Sequence, residues 1–241
     1  MPAARPRFDA ETLRFLRALK RNNRREWFNA HRDDYERHVR APMTAIVERL
    51  AADFRAFAPE LVASPKISMY RIYRDTRFSE NKAPYKTHIA AVFPTRGLAK
   101  HEGAGLYFHV SHDDVWIGGG MYAPQPPQLH AVREHIAANV RQLRAIVESP
   151  AFRRRITLEG EKLTRVPRGF PKDHEAAEYL KFRHFIAGAE FPAALAASAT
   201  FYPTLLSTFR AVIPLSRFLN APLVASPART MPPPPRARES A

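Results

Sequence analysis

Leu13, Leu16 and Leu19, with Phe15 beside them, repeat at helical spacing from the start of the chain. Asp9 stands just ahead of them, where a carboxylate can accept the free amides of a first helical turn. Asn22-Asn23 interrupts this pattern. Trp27, Phe28, His31, Tyr35 and Val39 then carry a second helical stretch that ends near Pro42. A proline fits the first turn of a helix, and Met43, Ile46, Val47, Leu50, Phe54 and Phe57 follow it on one face, which predicts a third helix. Pro59 and Pro65 bracket a loop.

From Lys66 the pattern changes to the alternation of strands. Residues 66–74, 87–93, 105–112 and 115–122 are short, rich in branched and aromatic side chains, and separated by turn-forming sequence. Leu106, Phe108 and Val110 alternate with Tyr107 and His109, and His112-Asp-Asp-Val115 reads as a tight turn into Trp116 and Ile117. Short connections favour an antiparallel meander. Helical spacing returns over 127–148 (Leu129, Val132, Ile136, Val140, Leu143, Val147). A last strand is predicted at 180–186, with Lys181, Arg183 and Phe185 on the face opposite Leu180, Phe182 and Ile186. A final helix is predicted near 203–213, ending before Pro214.

These elements predict a single α+β domain over residues 8–222, an antiparallel sheet of about five strands flanked by helices from the N- and C-terminal parts of the chain. Residues 1–7 read as a flexible N-terminus. Residues 223–241, rich in proline and arginine and without an apolar period, read as a disordered tail.

Charge alters the picture more than bulk composition does. The 241 residues carry a formal charge of +15, and thirty of the thirty-eight basic residues are arginine. Choosing arginine over lysine leaves net charge unchanged, so the excess over 23 acids needs its own cause; a charge of this size attracts polyanions at long range. The absence of cysteine excludes disulfides, thiol nucleophiles and thiolate metal sites. No apolar run approaches the ~18 residues that span a bilayer, and Met-Pro-Ala-Ala-Arg-Pro-Arg lacks a signal-peptide core, so a cytoplasmic protein without membrane contact is expected.

The basic residues concentrate in Arg71-Ile-Tyr-Arg-Asp-Thr-Arg-Phe-Ser-Glu-Asn-Lys-Ala-Pro-Tyr-Lys86, sixteen residues with three arginines, two lysines, two tyrosines and Asp75. Five cations this close repel unless an anion sits among them. Arginine forks match phosphate or carboxylate oxygens in pairs, and lysine adds a point charge. A solvated basic loop is the plain alternative. Against it stand the interleaved Tyr70, Tyr73, Phe78 and Tyr85, and Asp75 between Arg74 and Arg77, placed to hold one guanidinium while others face a ligand.

Four blocks in order, Asn22-Asn-Arg-Arg-Glu-Trp-Phe28, then Tyr73-Arg-Asp-Thr-Arg-Phe-Ser79 with Lys82-Ala-Pro-Tyr-Lys-Thr-His88, then Gly118-Gly-Gly-Met-Tyr-Ala-Pro124, then Leu180-Lys-Phe-Arg-His-Phe185, resemble the bacterial and fungal family known as domain of unknown function 2461. The resemblance spans roughly residues 8 to 220. It implies a single domain, and it brings no activity, cofactor or substrate with it.

Other constellations are weaker. Gly118-Gly119-Gly120 permits a ligand to approach the backbone, or equally a bulge or a close helix crossing; no Walker lysine or Gly-x-Gly-x-x-Gly pattern accompanies it. His109 and His112 fall on opposite faces of a strand and lack further ligands, so no metal is expected. Asp75 with Glu80-Asn-Lys82 resembles the acid-x-lysine element of nucleases, but the spacing belongs to a turn. No serine lies in a nucleophile elbow. No cofactor is expected.

The leading expectation is a pocket for a phosphate- or carboxylate-bearing small molecule, as a binder or as an electrostatic catalyst. Arg71, Arg74, Arg77, Lys82 and Lys86 would hold the anion, Asp75 would orient an arginine, and Tyr73 and Tyr85 would donate hydrogen bonds or stack. If strands 66–74 and 180–186 are neighbours, Lys181 and Arg183 join them. The rival is a nucleic-acid binder that uses an extended basic face, although no helix-turn-helix, RNP aromatic motif or zinc finger appears. A basic face for an acidic protein partner is the third class.

Overall fold

The computed structural model of the chain describes residues 5–77 and 79–224. The flexible start and the proline-rich tail expected from the sequence fall mostly outside those residues. Helix α1 (Ala10–Arg21) begins where Asp9 predicts it: the carboxylate accepts the Thr12 amide at 2.8 Å. After Asn22-Asn23 come α2 (Arg25–Ala30), α3 (Arg32–Tyr35) and a π-helical turn (Glu36–Arg40), which runs into α4 (Ala41–Phe57). Met43, Ile46, Val47, Leu50 and Phe54 of α4 are buried, the stripe expected of it.

The segment predicted as a strand over 66–74 is a correction. Pro65 opens a single helical turn, α5 (Pro65–Ser68), in which the Ser64 hydroxyl accepts the Ile67 amide. Beyond it the chain touches the sheet only at isolated bridges, Met69 with Ala91 and Tyr73 with Tyr85. The side-chain alternation is present, but the backbone hydrogen bonds leave for the basic loop instead of forming a ladder.

Strands β1 (His88–Phe93), β2 (Gly105–Ser111) and β3 (Asp114–Met121) form the expected meander. The turn between β2 and β3 is tied by Ser111, whose hydroxyl accepts the amides of Asp113 and Asp114 at 3.0 Å. Helices α6 (Pro126–Ala138), α7 (Val140–Val147) and α8 (Pro150–Arg153) follow; the helical stretch predicted over 127–148 breaks at Asn139, whose side chain bonds back to the His135 carbonyl. Then come the short β4 (Thr157–Glu159), α9 (Ala177–Leu180), β5 (Phe185–Pro192), a 3-10 turn (Ala193–Ala197) and α10 (Phe201–Val224).

The last main strand is therefore displaced from 180–186. Leu180 closes a helical turn, and the Phe182 amide returns to the Tyr179 carbonyl, so the alternation of Leu180 and Phe182 belongs to a turn. The real strand includes Ala187-Gly-Ala189, which lacks the branched and aromatic residues that mark strands. β4 is three residues long and carried no signal.

The five strands order as β1-β2-β3-β5-β4, with every pair antiparallel. One face is the core. Leu106, Phe108, Val110, Val115, Ile117 and Phe185 point into it, and α10 lies across it with Phe209 packed on Phe93 and Phe108 at ring separations of 5.8 and 6.3 Å. Gly119 lets α10 come close, since a Cβ there would press on Val212 and on the backbone of β2. α10 does not stop at Pro214. An interior proline costs ~3 kcal/mol, but Leu215, Phe218 and Leu219 continue the buried stripe, and their burial at ~1.5–3 kcal/mol each outweighs it. The opposite face of the sheet carries Tyr107, His109, Trp116 and Glu190, with Tyr70 lying at its β1 side, 6.3 Å from Tyr107.

Candidate functional site

The basic block folds as a narrow hairpin beside β1. Its stem is held by Lys86 N–H to the Ile72 carbonyl at 2.8 Å and Arg74 N–H to the Pro84 carbonyl at 2.9 Å, with Tyr73 facing Tyr85. The stem is docked on the N-terminal helices by two devices. The Tyr85 ring stacks on Phe28 of α2 at 4.1 Å. Asn23 grips the Tyr85 backbone from both sides: its side-chain oxygen accepts the Tyr85 amide at 3.0 Å and its amide donates to the Tyr85 carbonyl at 2.9 Å. An asparagine can imitate a strand neighbour in this way because it has one donor and one acceptor on the same plane. The break in the helical pattern at Asn22-Asn23 is thus a fastening for the basic hairpin.

Between α2 and the hairpin lies a groove of about 280 Å³ lined by Arg25, Asn29, Tyr73, Arg74, Thr76, Pro84 and Tyr85. Arg74 is half-buried, and its guanidinium is fixed by the Ala83 carbonyl at 3.2 Å and the Ser79 hydroxyl at 3.4 Å. Among the described residues neither Arg25 nor Arg74 forms an ion pair. Tyr73 is 45% exposed and presents its ring to the groove. Burial raises the Tyr85 hydroxyl above the usual phenol range, so it stays protonated and able to donate.

The remaining residues of the block sort themselves by what they touch. Asp75 does hold a guanidinium, that of Arg77, through bonds of 3.0 and 2.7 Å. The Arg77 hydrogen bonds bring the Asp75 carboxyl down to about 2, so it is ionised at any ordinary pH. Lys82 turns its ammonium onto the Thr76 carbonyl at 3.1 Å and bridges the loop. Arg71 is exposed. Lys86, next to Tyr85 on extended backbone, points the other way; its ammonium sits 4.9 Å from the centre of the Tyr70 ring, and burial together with Arg71 lowers its pKa.

Lys181 and Arg183 do not join this site. The segment carrying Arg71 lies outside β1, whereas Arg183 precedes β5, four inter-strand steps away, or about 19 Å at ~4.8 Å per step. Both cations are occupied locally, Lys181 with Glu178 at 2.6 Å and Arg183 with Glu161 at 2.7 Å. The expectation that the two segments neighbour each other fails because the Arg71 segment lies outside β1, whereas Lys181 and Arg183 sit in the turn that leads into β5 on the far side of the sheet.

Sequence reasoning did not include Arg25 and Asn29, which reach the groove from a helix some fifty residues earlier. Their signal was the density of Asn22-Asn-Arg-Arg-Glu-Trp-Phe28, read there only for its family resemblance. Among the described residues no cluster of three or more histidine and acidic side chains could hold a metal ion, and no helix is long and apolar enough to cross a membrane.

No curated protein and no solved structure matches the chain. The description that fits it is that of the conserved hypothetical proteins DUF2461, over residues 11–218, a span that contains all four blocks. The chain belongs to that family.

Proposed function

We propose that the groove between α2 and the basic hairpin binds a small molecule through one phosphate or carboxylate group. Arg74 and Arg25 supply the charge, and the Tyr73 and Tyr85 hydroxyls supply neutral donors. One observation carries the reading: a half-buried guanidinium, held in place by neutral oxygens, faces a groove beside a second arginine. An arginine placed only for solubility does not need its fork fixed, whereas one that must meet a planar anion gains from losing its rotamer freedom beforehand. The groove volume, a little under the ~300 Å³ at which drug-sized pockets begin, fits a small metabolite. Among the described residues that line the groove there is no carboxylate to compete with an anion, and nearby Asp75 is engaged by Arg77.

The test is calorimetry of the parent and of Arg74→Gln against inorganic phosphate, sugar phosphates and di- and tricarboxylates. The parent should bind at least one of them saturably. Arg74→Gln should weaken that binding by about 1.5–3 kcal/mol, the range of a hydrogen bond to a charged group. Equal affinities for parent and variant would remove the groove as the site.

A further inference from the structure

The face of the sheet opposite α10 is built with a care that the groove does not explain. Trp116 stands on β3, and beneath its indole lie Gly118 of the same strand and its partner Gly188 on β5. A Cβ on either glycine would run into the indole and into neighbouring backbone, so these glycines let the ring lie flat on the sheet. A tryptophan laid on a glycine floor is a rigid platform with one face turned outward. Among the described residues Tyr107 is the only ring packed against it, tilted at 5.8 Å.

Beside the platform runs a chain of hydrogen bonds. His109 Nε2 meets Asp114 Oδ2 at 2.9 Å, and His109 Nδ1 meets the Tyr107 hydroxyl at 3.2 Å. Asp114 also accepts a bond from the Ser111 hydroxyl. The carboxylate fixes the proton of a neutral His109 on Nε2, so Nδ1 accepts from Tyr107. The Tyr107 oxygen then has spent its proton and retains a lone pair, which makes it an acceptor for an O–H brought by a ligand.

At the other end of the face Lys86 and Lys100 converge on Tyr70, 4.9 and 4.3 Å from its ring centre, and Tyr70 lies 6.3 Å from Tyr107. Neither ammonium has an ion-pair partner among the described residues; Lys100 donates to the Ile67 carbonyl. Asp114 and exposed Glu190 lie at the Trp116 end. The face is therefore polarised, with carboxylates by the platform and ammoniums one ring further on. That distribution suits a ligand with a flat, uncharged ring at one end and a single anionic group on an arm, and it disfavours a chain of anions lying along the whole face.

We propose that this face binds a mononucleotide. The base stacks on Trp116 with its sugar-bearing edge towards Tyr107, a ribose hydroxyl donates to the Tyr107 oxygen, and the ribose spans Tyr107 and Tyr70 so that the phosphate meets Lys86 and Lys100. This site is separate from the groove and does not depend on the function proposed for it.

The chain has two tryptophans, so Trp27→Phe leaves Trp116 as the sole indole reporter. Titration of that protein with adenosine monophosphate should quench its fluorescence saturably. 2′,3′-Dideoxyadenosine monophosphate, which lacks both ribose hydroxyls, should bind several-fold more weakly, and Tyr107→Phe should abolish that difference. Lys86→Gln with Lys100→Gln should weaken adenosine monophosphate at least ~10-fold, the effect of losing a charged partner. Trp116→Leu, measured by calorimetry in the Arg74→Gln background after its melting curve shows that it folds, should lose binding; the double lysine variant carries the test if it does not fold. Arg74→Gln should leave this binding unchanged. Four results would overturn the proposal: no saturable quenching, equal affinity for ribose 5-phosphate, loss of nucleotide binding in Arg74→Gln, or a short oligonucleotide bound far more tightly than the monomer.

Discussion

Removing the Asn23 side chain isolates the fastening on which the groove depends. Asn23→Ala deletes two hydrogen bonds to the Tyr85 backbone, of 2.9 and 3.0 Å, and puts no new group in their place. Each such bond is worth about 0.5–1.5 kcal/mol net, so about 1–3 kcal/mol of stability should go. The entropy of unfolding is ~2.1 cal/mol/K per residue, or about 0.46 kcal/mol/K over about 220 described residues, which turns that loss into a melting shift of about 2–7 °C. The same deletion lets the hairpin swing away from α2, carrying Arg74 from Arg25. Phosphate or carboxylate affinity should therefore fall although Asn23 does not line the groove. Asn23→Asp sharpens the test: it can still accept the Tyr85 amide, but it sets a charged oxygen against the Tyr85 carbonyl, so it should be no better than alanine. Differential scanning calorimetry and anion titration on the three proteins give both readouts. A melting temperature within ~1 °C of the parent for both variants, or full anion affinity in Asn23→Ala, would refute the reasoning.

Further outcomes follow from other sites. His88 is pushed down to about 4, first by burial and then by neighbouring His109 and Lys86, with Asp114 opposing. A depressed histidine stabilises the fold while it is neutral, so this contribution is complete above about pH 6.5 and is lost as pH falls from there towards 4. At ~1.36 kcal/mol per unit the ceiling is about 3.4 kcal/mol, and water at this half-buried ring reduces it to about 2; urea melts of the parent and His88→Gln at pH 7.5 and 4.5 should converge by that amount. Asn220, buried under the 94–104 loop, accepts the Ala104 amide at 2.7 Å and donates to the Ala104 carbonyl at 2.8 Å and to Thr95 at 2.9 Å. Asn220→Leu strands the Ala104 amide, while the Ala104 carbonyl keeps the Thr95 hydroxyl at 3.3 Å, and should cost about 1–3 kcal/mol in a denaturant melt.

What could be read from the chain depended on which physical signal each element used. β2 and β3 were legible because their alternation and their turn chemistry agreed. β5 was misplaced because its middle, Ala187-Gly188-Ala189, lacks the branched and aromatic residues that mark strands, with Gly188 serving the flat space under Trp116. Pro214 misled for the same kind of reason: a local rule about proline gave way to a buried stripe that only the folded sheet rewards. In the site, the density of cations at 71–86 marked the hairpin that lines the proposed groove. Adjacent positions on it face opposite ways, so Lys86 left the groove for the sheet face, and Arg25 entered from a distant helix. Lys181 and Arg183 were attached through a strand pairing that the topology does not contain.

The central claim is a discrete site for one anionic group on a chain whose overall charge of +15 would suit a polyanion equally well. Salt dependence separates the two most directly. Affinity should be measured for the best phosphate or carboxylate ligand, and for an oligonucleotide, at 50 and 200 mM salt. A groove that neutralises one or two charges should lose less than ~10-fold for its small ligand, and Arg74→Gln should account for most of what the ligand gains. Oligonucleotide binding tighter than that of any small anion, falling ~10³–10⁵-fold between the two salts and indifferent to Arg74→Gln, would contradict it, because that slope belongs to six to ten phosphates spread over a basic face.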